Sequence, residues 1–140
     1  MKMRVLTATN KGKLISLAAK VAEKAESSYK VDQIPPAYPC ERERLIVIVV
    51  SAKASMPETF NRFCGSRLSR EMATNVALIV DGKPENASKI METIKNTGVN
   101  LIEDVLYVNG GLPFKFAKKY TPEEESAVIG WTERVLAQLK

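Results

Sequence analysis

Short runs of β-branched and aliphatic residues alternate with longer amphipathic stretches along this chain, and the alternation predicts an α/β fold. The strand-like runs are residues 3–7, 29–33, 45–52, 76–81 and 101–108. The run from Leu45 to Val50 is apolar at every position, which is typical of a central parallel strand covered on both faces. We therefore expect an open parallel sheet with right-handed crossovers and helices on both faces.

Apolar residues at three- and four-residue steps predict a first helix over residues 11–25 and a last helix that begins near Thr121. In the first helix, Leu14, Leu17 and Val21 share one face. The last helix starts with Thr-Pro-Glu-Glu, which combines an N-cap, a proline at N1 and acids in the first turn. Its predicted buried stripe consists of Val128, Trp131, Val135 and Leu139.

Two further helices are indicated by their end signals. Ser55 and Glu58 fit the N-cap and N3 positions of a capping box, so a helix is expected from there to about Arg67. Pro84 suits the first turn of the next helix, and Gly98 suits the left-handed C′ position at its end.

The connection between the second and third predicted strands is unusually short. Residues 34–44 contain Pro35, Pro36 and Pro39, and proline disrupts a helix interior. The crossover helix at this point is therefore expected to be reduced or absent.

The composition excludes several kinds of catalysis. The sequence has no histidine, which removes Ser-His-Asp and Cys-His nucleophile systems and most zinc or iron sites. Cys40 and Cys64 lack the CxxC spacing of a redox pair, so we expect two reduced thiols in a cytoplasmic protein. The 140 residues are expected to form one domain, 1–140, without a signal peptide or membrane span. We predict neither a catalytic residue nor a metal site.

The chain is moderately basic. Its 21 lysines and arginines against 16 acidic residues give a net charge of +5, which favours acidic partners. The charges are spread along the sequence instead of forming a basic cluster, so we do not expect nucleic acid as a partner.

The segment after the first predicted strand has the composition of an anion-binding loop. Its candidate residues are Thr7, Thr9, Asn10, Lys11 and Gly12. The helix that follows opens with backbone N–H groups that have no intrahelical partner, and such groups bind phosphate. The alternative is an ordinary strand-to-helix turn in which Asn10 caps the helix.

This loop and the order of elements resemble the flavodoxin family, whose phosphate loop reads S/T-x-T-G-x-T. Thr7 and Thr9 match the motif, whereas Asn10 replaces the glycine and Gly12 replaces the last threonine. Lys11 and Lys13 offer charge in place of the lost hydroxyl. The resemblance implies a three-layer doubly wound flavodoxin-like fold, with a five-stranded parallel sheet in the order 2-1-3-4-5, and flavin mononucleotide (FMN) as cofactor.

The resemblance also implies that two other loops border the flavin. They contribute Ser51, Ala52, Lys53, Ala54 and Ser55 after the third strand, and Asp81 and Gly82 after the fourth. Neither loop carries the aromatic residue that often stacks on the flavin in this family. Flavodoxins also tend to be strongly acidic, whereas this chain is basic.

The implied function is that of an FMN-binding electron carrier or accessory redox protein with a redox protein partner. A second hypothesis is a binding or regulatory module of the same fold that has lost flavin binding. A third is an enzyme that uses the same crevice for another phosphorylated ligand. The sequence leaves open whether the protein is an enzyme.

Overall fold

The order of elements is β-α-β-β-α-β-α-β-β-α in the computed structural model, which describes residues 2–9, 11–27, 30–34, 36, 40–52, 56, 58–108 and 121–140. The elements are β1 Met3–Thr7, α1 Gly12–Lys24, β2 Asp32–Gln33, β3 Glu43–Ser51, α2 Glu58–Arg62, β4 Ala73–Asp81, α3 Ser88–Lys95, β5 Asn100–Leu101, β6 Leu106–Val108 and α4 Pro122–Ala137. A π-helical turn, Phe63–Arg67, continues α2, and a 3-10 turn, Pro84–Asn86, precedes α3.

The strands form one parallel sheet in the order β2-β1-β3-β4-β5, with β6 also paired to β4. The predicted order 2-1-3-4-5 is therefore confirmed. The centre of the sheet is the pairing of β3 with β4, which runs in register from Glu43 and Ala73 to Ser51 and Asp81. This long pairing brings the ends of β3 and β4 to the same level, and loops that are far apart in sequence meet there.

The prediction of one continuous strand over residues 101–108 was wrong. This run is divided into β5 and β6, which pair with different parts of β4. Between them the chain turns toward α4, because the Asp104 carbonyl accepts a hydrogen bond from Trp131 Nε1 at 2.6 Å and the Asp104 carboxylate binds Arg134 Nε at 2.7 Å. These contacts take the segment out of the sheet.

The second predicted strand, residues 29–33, is shorter than expected. Of the described residues in this run, Asp32 and Gln33 pair with β1, opposite Leu6 and Thr7. Residues 30 and 31 are described but are not in a strand. The edge of the sheet at β2 is therefore a two-residue pairing next to the end of β1.

Helices cover both faces of the sheet. On one face α1 and α4 pack over an apolar cluster that includes Leu17, Val47 and Trp131. On the other face the cluster includes Phe60, Ile48 and Ile90, from α2, β3 and α3. This layering agrees with the predicted three-layer architecture.

The described residues between β2 and β3 contain no helix, as the prolines predicted. Ile34 and Cys40 instead join the apolar cluster on that face. Arg4, in the middle of β1, is 3% exposed, and its Nη2 lies 3.5 Å from Oδ2 of Asp32. Within the described residues, these polar and apolar side chains thus occupy part of the face that a crossover helix would cover.

Several predicted helix ends are confirmed. Thr121 is the predicted N-cap of α4: its Oγ1 accepts from the Glu124 N–H at 3.1 Å, and the Glu124 carboxylate accepts from the Thr121 N–H at 3.0 Å, so the two residues form a capping box. Gly98 has a φ of +89°, as expected for the end of α3. The helix at Pro84 starts as a 3-10 turn, and its α-helical part begins only at Ser88. Ser55 lies outside the described residues, and the described part of α2 begins at Glu58.

Both cysteines are buried and reduced. Burial raises the pKa of the Cys64 thiol to about 12 and also raises the pKa of Cys40, and a raised pKa disfavours the nucleophilic thiolate. None of the helices in the described ranges is long and apolar enough to cross a membrane.

Candidate functional site

The carboxyl ends of β1, β3 and β4 meet at one edge of the sheet. The Ala8 N–H donates to the Val49 carbonyl at 2.8 Å, and the Ala52 N–H donates to the Asp81 carbonyl at 3.0 Å. These backbone bonds tie the first residue after β1 to β3, and the first residue after β3 to β4. The three loops that the sequence analysis predicted to form the site are therefore adjacent.

Asp81 connects these loops through its side chain. Its Oδ2 accepts a hydrogen bond from Lys11 Nζ at 2.7 Å and from Ser51 Oγ at 3.3 Å. The Asp81 side chain is only 7% exposed, whereas that of Lys11 is 47% exposed. A buried carboxylate needs such partners, because leaving it unpaired away from water is costly. Lys11, Ser51 and Asp81, one from each loop, are named here the loop triad.

The amino end of α1 is open. Lys11 is its N-cap residue and makes no side-chain capping bond, and the first turn contains no acid. The Lys11 N–H donates to Thr9 Oγ1 at 3.2 Å, which fixes the turn before the helix. Above Gly12 a Cβ atom would meet nothing within 4 Å. With no capping side chain among the described residues and no acid in its first turn, the start of this helix suits an anion.

Gly82 brings the third loop against the second. Its φ is +149°, and a Cβ atom there would lie 3.1 Å from Cβ of Ala52. Both the backbone conformation and the close approach disfavour a side chain at this position. Ala52 and Gly82 therefore form a tight contact beside Ser51 and Asp81.

Thr7 is separate from the loop triad. Its side chain is buried, and its hydroxyl donates to the Asp32 carbonyl at 3.4 Å, toward β2. Asn10 and the second-loop residues 53–55 (Lys53, Ala54 and Ser55) lie outside the described residues. The structure thus brings together Thr9, Lys11 and Gly12 with Ser51, Ala52, Asp81 and Gly82.

Lys13 lies in the first turn of α1 but is engaged elsewhere. Its Nζ lies 2.7 Å from Oε2 of Glu124 in α4. Burial by itself would raise the pKa of Glu124, but hydrogen bonds from Lys13 and Thr121 outweigh it and lower the pKa of this carboxyl. Lys13 therefore joins α1 to α4, which no local sequence signal reveals.

A cavity of about 280 Å³ lies beside the loops, between α1, β6 and α4. Leu106, Val108 and Val128 supply apolar walls, and Lys13 and Glu124 supply charged groups. Val108 pairs in register with Asp81, so one wall of the cavity lies on the strand next to Asp81. Sequence reasoning missed it, because its walls come from elements that are distant along the chain.

The whole architecture is similar to that of a flavodoxin from the domain Archaea. The TM-score is 0.71, the match covers 99% of this chain and 98% of that chain, and 12% of the residues are identical. This chain has a flavodoxin-like fold. No protein-family model and no curated protein matches the sequence. Likeness at 12% identity shows the fold and does not determine the ligand.

In a flavodoxin-like sheet the order of strands reverses between β1 and β3, and ligands of doubly wound sheets bind at this switch point. Here α1 follows β1 on one face, and α2 follows β3 on the other. The loop triad lies at the carboxyl end of these strands. Among the described residues no group of three acidic or cysteine side chains could hold a metal ion.

Proposed function

We propose that this protein binds FMN at the carboxyl end of the sheet and acts as an electron carrier or accessory redox protein. The observation that carries the proposal is the position of the loop triad at the β1/β3 switch point of a flavodoxin-like fold. The full-length likeness to an archaeal flavodoxin supports the same ligand class.

The amino end of α1 suits the FMN phosphate. It has no acid in its first turn, and Lys11 stands at its start. The amino end of α4 is the opposite case, since the Thr121–Glu124 capping box and three glutamates fill it. A phosphate at α1 would receive backbone N–H groups and the Lys11 ammonium. Thr9, Asn10 and Gly12 complete the proposed phosphate loop, and Thr7 is the last residue of β1 before it.

The flavin ring is assigned to the space bordered by the second and third loops. Ser51, Ala52, Asp81 and Gly82 form the described part of this border, and residues 53–55 continue it in the sequence. The isoalloxazine supplies the redox chemistry, and the protein supplies position and electrostatic environment. No aromatic residue occurs in residues 51–56 or 81–84. Aromatic stacking contributes roughly 1 to 3 kcal/mol, so we expect FMN to bind about one to two orders of magnitude more weakly than with such a residue.

The test is a titration of the ligand-free protein with FMN, followed by quenching of flavin fluorescence. Lys11→Met is expected to raise the Kd by roughly tenfold or more, because a charge-assisted contact to the phosphate is lost. Lys89→Met is the matched control: Lys89 is exposed on α3, over the other face of the sheet. It removes the same charge and should leave the Kd unchanged.

Quenching that is absent up to millimolar FMN would contradict the proposal. The fold would then serve as a binding or regulatory module without flavin. Equal loss of affinity in both lysine variants would show that net charge, and not the loop, determines binding.

A further inference from the structure

The side chains of the loop triad lie on one face of the sheet. Ser51 and Asp81 come two residues after Val49 and Ile79, which belong to the apolar cluster under α1 and α4. Strand alternation therefore directs all four side chains to that face. Lys11 reaches Asp81 from the start of α1, across the end of β3, and the two residues are 70 positions apart in sequence. The pair spans the place at which a phosphate would approach the helix.

The charges of this pair are unequally exposed. The Asp81 carboxylate is almost completely buried, and Lys11 and Ser51 are its hydrogen-bond partners within the described residues. The Lys11 side chain is about half exposed, so Lys11 is the member of the pair that can turn toward a ligand. Asp81 is fixed by its strand and by Ser51, so its carboxylate stays at the site whichever way Lys11 points.

When a ligand phosphate approaches the Lys11 ammonium, that group is already paired with the Asp81 carboxylate. To bind Lys11 the phosphate must take the ammonium from Asp81 or share it, and it must approach a second negative charge while doing so. Like charges that share a site disfavour one another, whereas an opposite charge stabilises each. Phosphate and carboxylate thus compete for the same lysine.

We propose that Asp81 is an internal competitor that sets the phosphate affinity of this site. Its carboxylate holds Lys11 in the ligand-free protein, and ligand phosphate binds by displacing it. This inference rests on the proposed function, because it takes the amino end of α1 as the phosphate site. It assigns Asp81, which also borders the proposed flavin space, an effect on phosphate affinity that is opposite in sign to that of a phosphate-binding residue.

The decisive variant is Asp81→Asn, which keeps the size of the side chain and an oxygen that can accept from Ser51 while it removes the charge. We expect the variant to bind FMN and inorganic phosphate more tightly, on the order of tenfold, because Lys11 is released and the repulsion is gone. Riboflavin, which lacks the phosphate, should gain a smaller factor in affinity than FMN does, because only the phosphate competes with Asp81 for Lys11. Glu92→Gln, an exposed position on α3, removes the same charge and should change none of the affinities.

The role of Lys11 is tested by a double-mutant cycle. Asp81→Asn should increase the affinity for FMN and phosphate by a smaller factor in a Lys11→Met background, less than half of the factor in the wild-type background. The reason is that the lysine for which the two anions compete is absent. In the wild-type protein, saturating phosphate should also shift the ¹³C signal of the Asp81 carboxyl group. This measurement needs no substitution at Asp81, so it decides the case even where the variant does not fold.

The outcomes separate this inference from the proposed function. One outcome is that FMN binds equally strongly to the wild type and to Asp81→Asn, and that the Asp81 carboxyl signal does not change. This outcome overturns the proposal that Asp81 competes with phosphate, and it leaves the proposal of FMN binding intact. Phosphate binding that tightens in Asp81→Asn, while no variant binds FMN, supports the competitor and overturns the flavin proposal. Absence of any anion binding in every variant overturns both. A gain that is undiminished in the Lys11→Met background also overturns the competitor.

Discussion

Asn75 is a buried polar side chain that connects β4 to three other chain segments at the amino end of the sheet. It is fully buried in β4. Its Nδ2 donates to the Arg44 carbonyl at 2.9 Å and to the Lys140 carbonyl at 3.3 Å, and its Oδ1 accepts from Asn100 Nδ2 at 2.7 Å and from the Lys140 N–H at 3.2 Å. One amide thus satisfies groups of β3, of β5 and of the residues after α4. A buried amide with every bond made is expected to stabilise the fold.

Asn75→Ala should lower the free energy of unfolding by about 2 to 3 kcal/mol, because the substitution leaves several partly buried donors and acceptors without partners. Urea denaturation followed by the fluorescence of Trp131 measures the change. Asn86→Ala, at an exposed position of the 3-10 turn, is the matched control and should change stability by about 0.5 kcal/mol or less. Equal losses in the two variants would show that the buried amide has no special role.

At the scale of elements, α1 and α4 are joined along their length by ion pairs above an apolar contact. The pairs are Lys13–Glu124 at 2.7 Å, Lys20–Glu125 at 3.0 Å and Lys24–Glu133 at 3.1 Å. The last two involve partners that are more than a third exposed, and such pairs contribute little. Lys13–Glu124 is the least exposed of the three, so it is the pair expected to affect stability.

This pair should make stability depend on acid pH. The pKa of Glu124 is lower in the folded protein than its ordinary value, since hydrogen bonds from Lys13 and Thr121 outweigh the effect of burial. The stabilisation is therefore present above the unfolded pKa of about 4.3 and is lost as the pH falls through the lower, folded pKa. Glu124→Gln keeps an N3 side chain that can complete the capping box but removes the charge. We expect it to cost about 0.5 to 1 kcal/mol at pH 7 and almost nothing at pH 2.

Urea denaturation at the two pH values measures this difference, with Glu123→Gln as the control. Glu123 lies in the same first turn, is exposed and has no ion pair among the described residues. Its variant should therefore show a smaller loss at pH 7. A Glu124→Gln loss that is the same at both pH values would contradict the assignment to the charge.

The sequence predicts those elements whose own residues determine them. β3 and β4 follow from apolar runs and α4 from its capping box, and both signals are local. The division of residues 101–108 could not be predicted, because Trp131 and Arg134, which bind Asp104, are 27 and 30 positions away. The candidate site divides in the same way. Topology brings its loops together, but the Lys11–Asp81 pair depends on side-chain contacts that only the folded sheet creates.

At the scale of the whole molecule, the two ends of the sheet differ in what their buried polar side chains connect. Asn75 and Asp81 lie on the same strand, six residues apart, or about 20 Å along a parallel strand. Asn75 joins chain segments at the amino end, and Asp81 organises the loops at the carboxyl end. The apolar middle of β3 and β4 separates the two groups, and no described residue contacts both side chains through a hydrogen bond.

This separation predicts that stability and ligand affinity can be changed independently. In conditions where it remains folded, Asn75→Ala should bind FMN with a Kd within about twofold of the wild-type value, because sites this far apart that share no partner act independently. In the double variant Asn75→Ala/Lys11→Met, the changes in the free energy of unfolding should add to within about 0.5 kcal/mol. Urea denaturation and FMN titration of the four proteins measure both quantities. A loss of FMN affinity in folded Asn75→Ala would show instead that strain is transmitted along β4, so that the amino end of the sheet takes part in positioning Asp81.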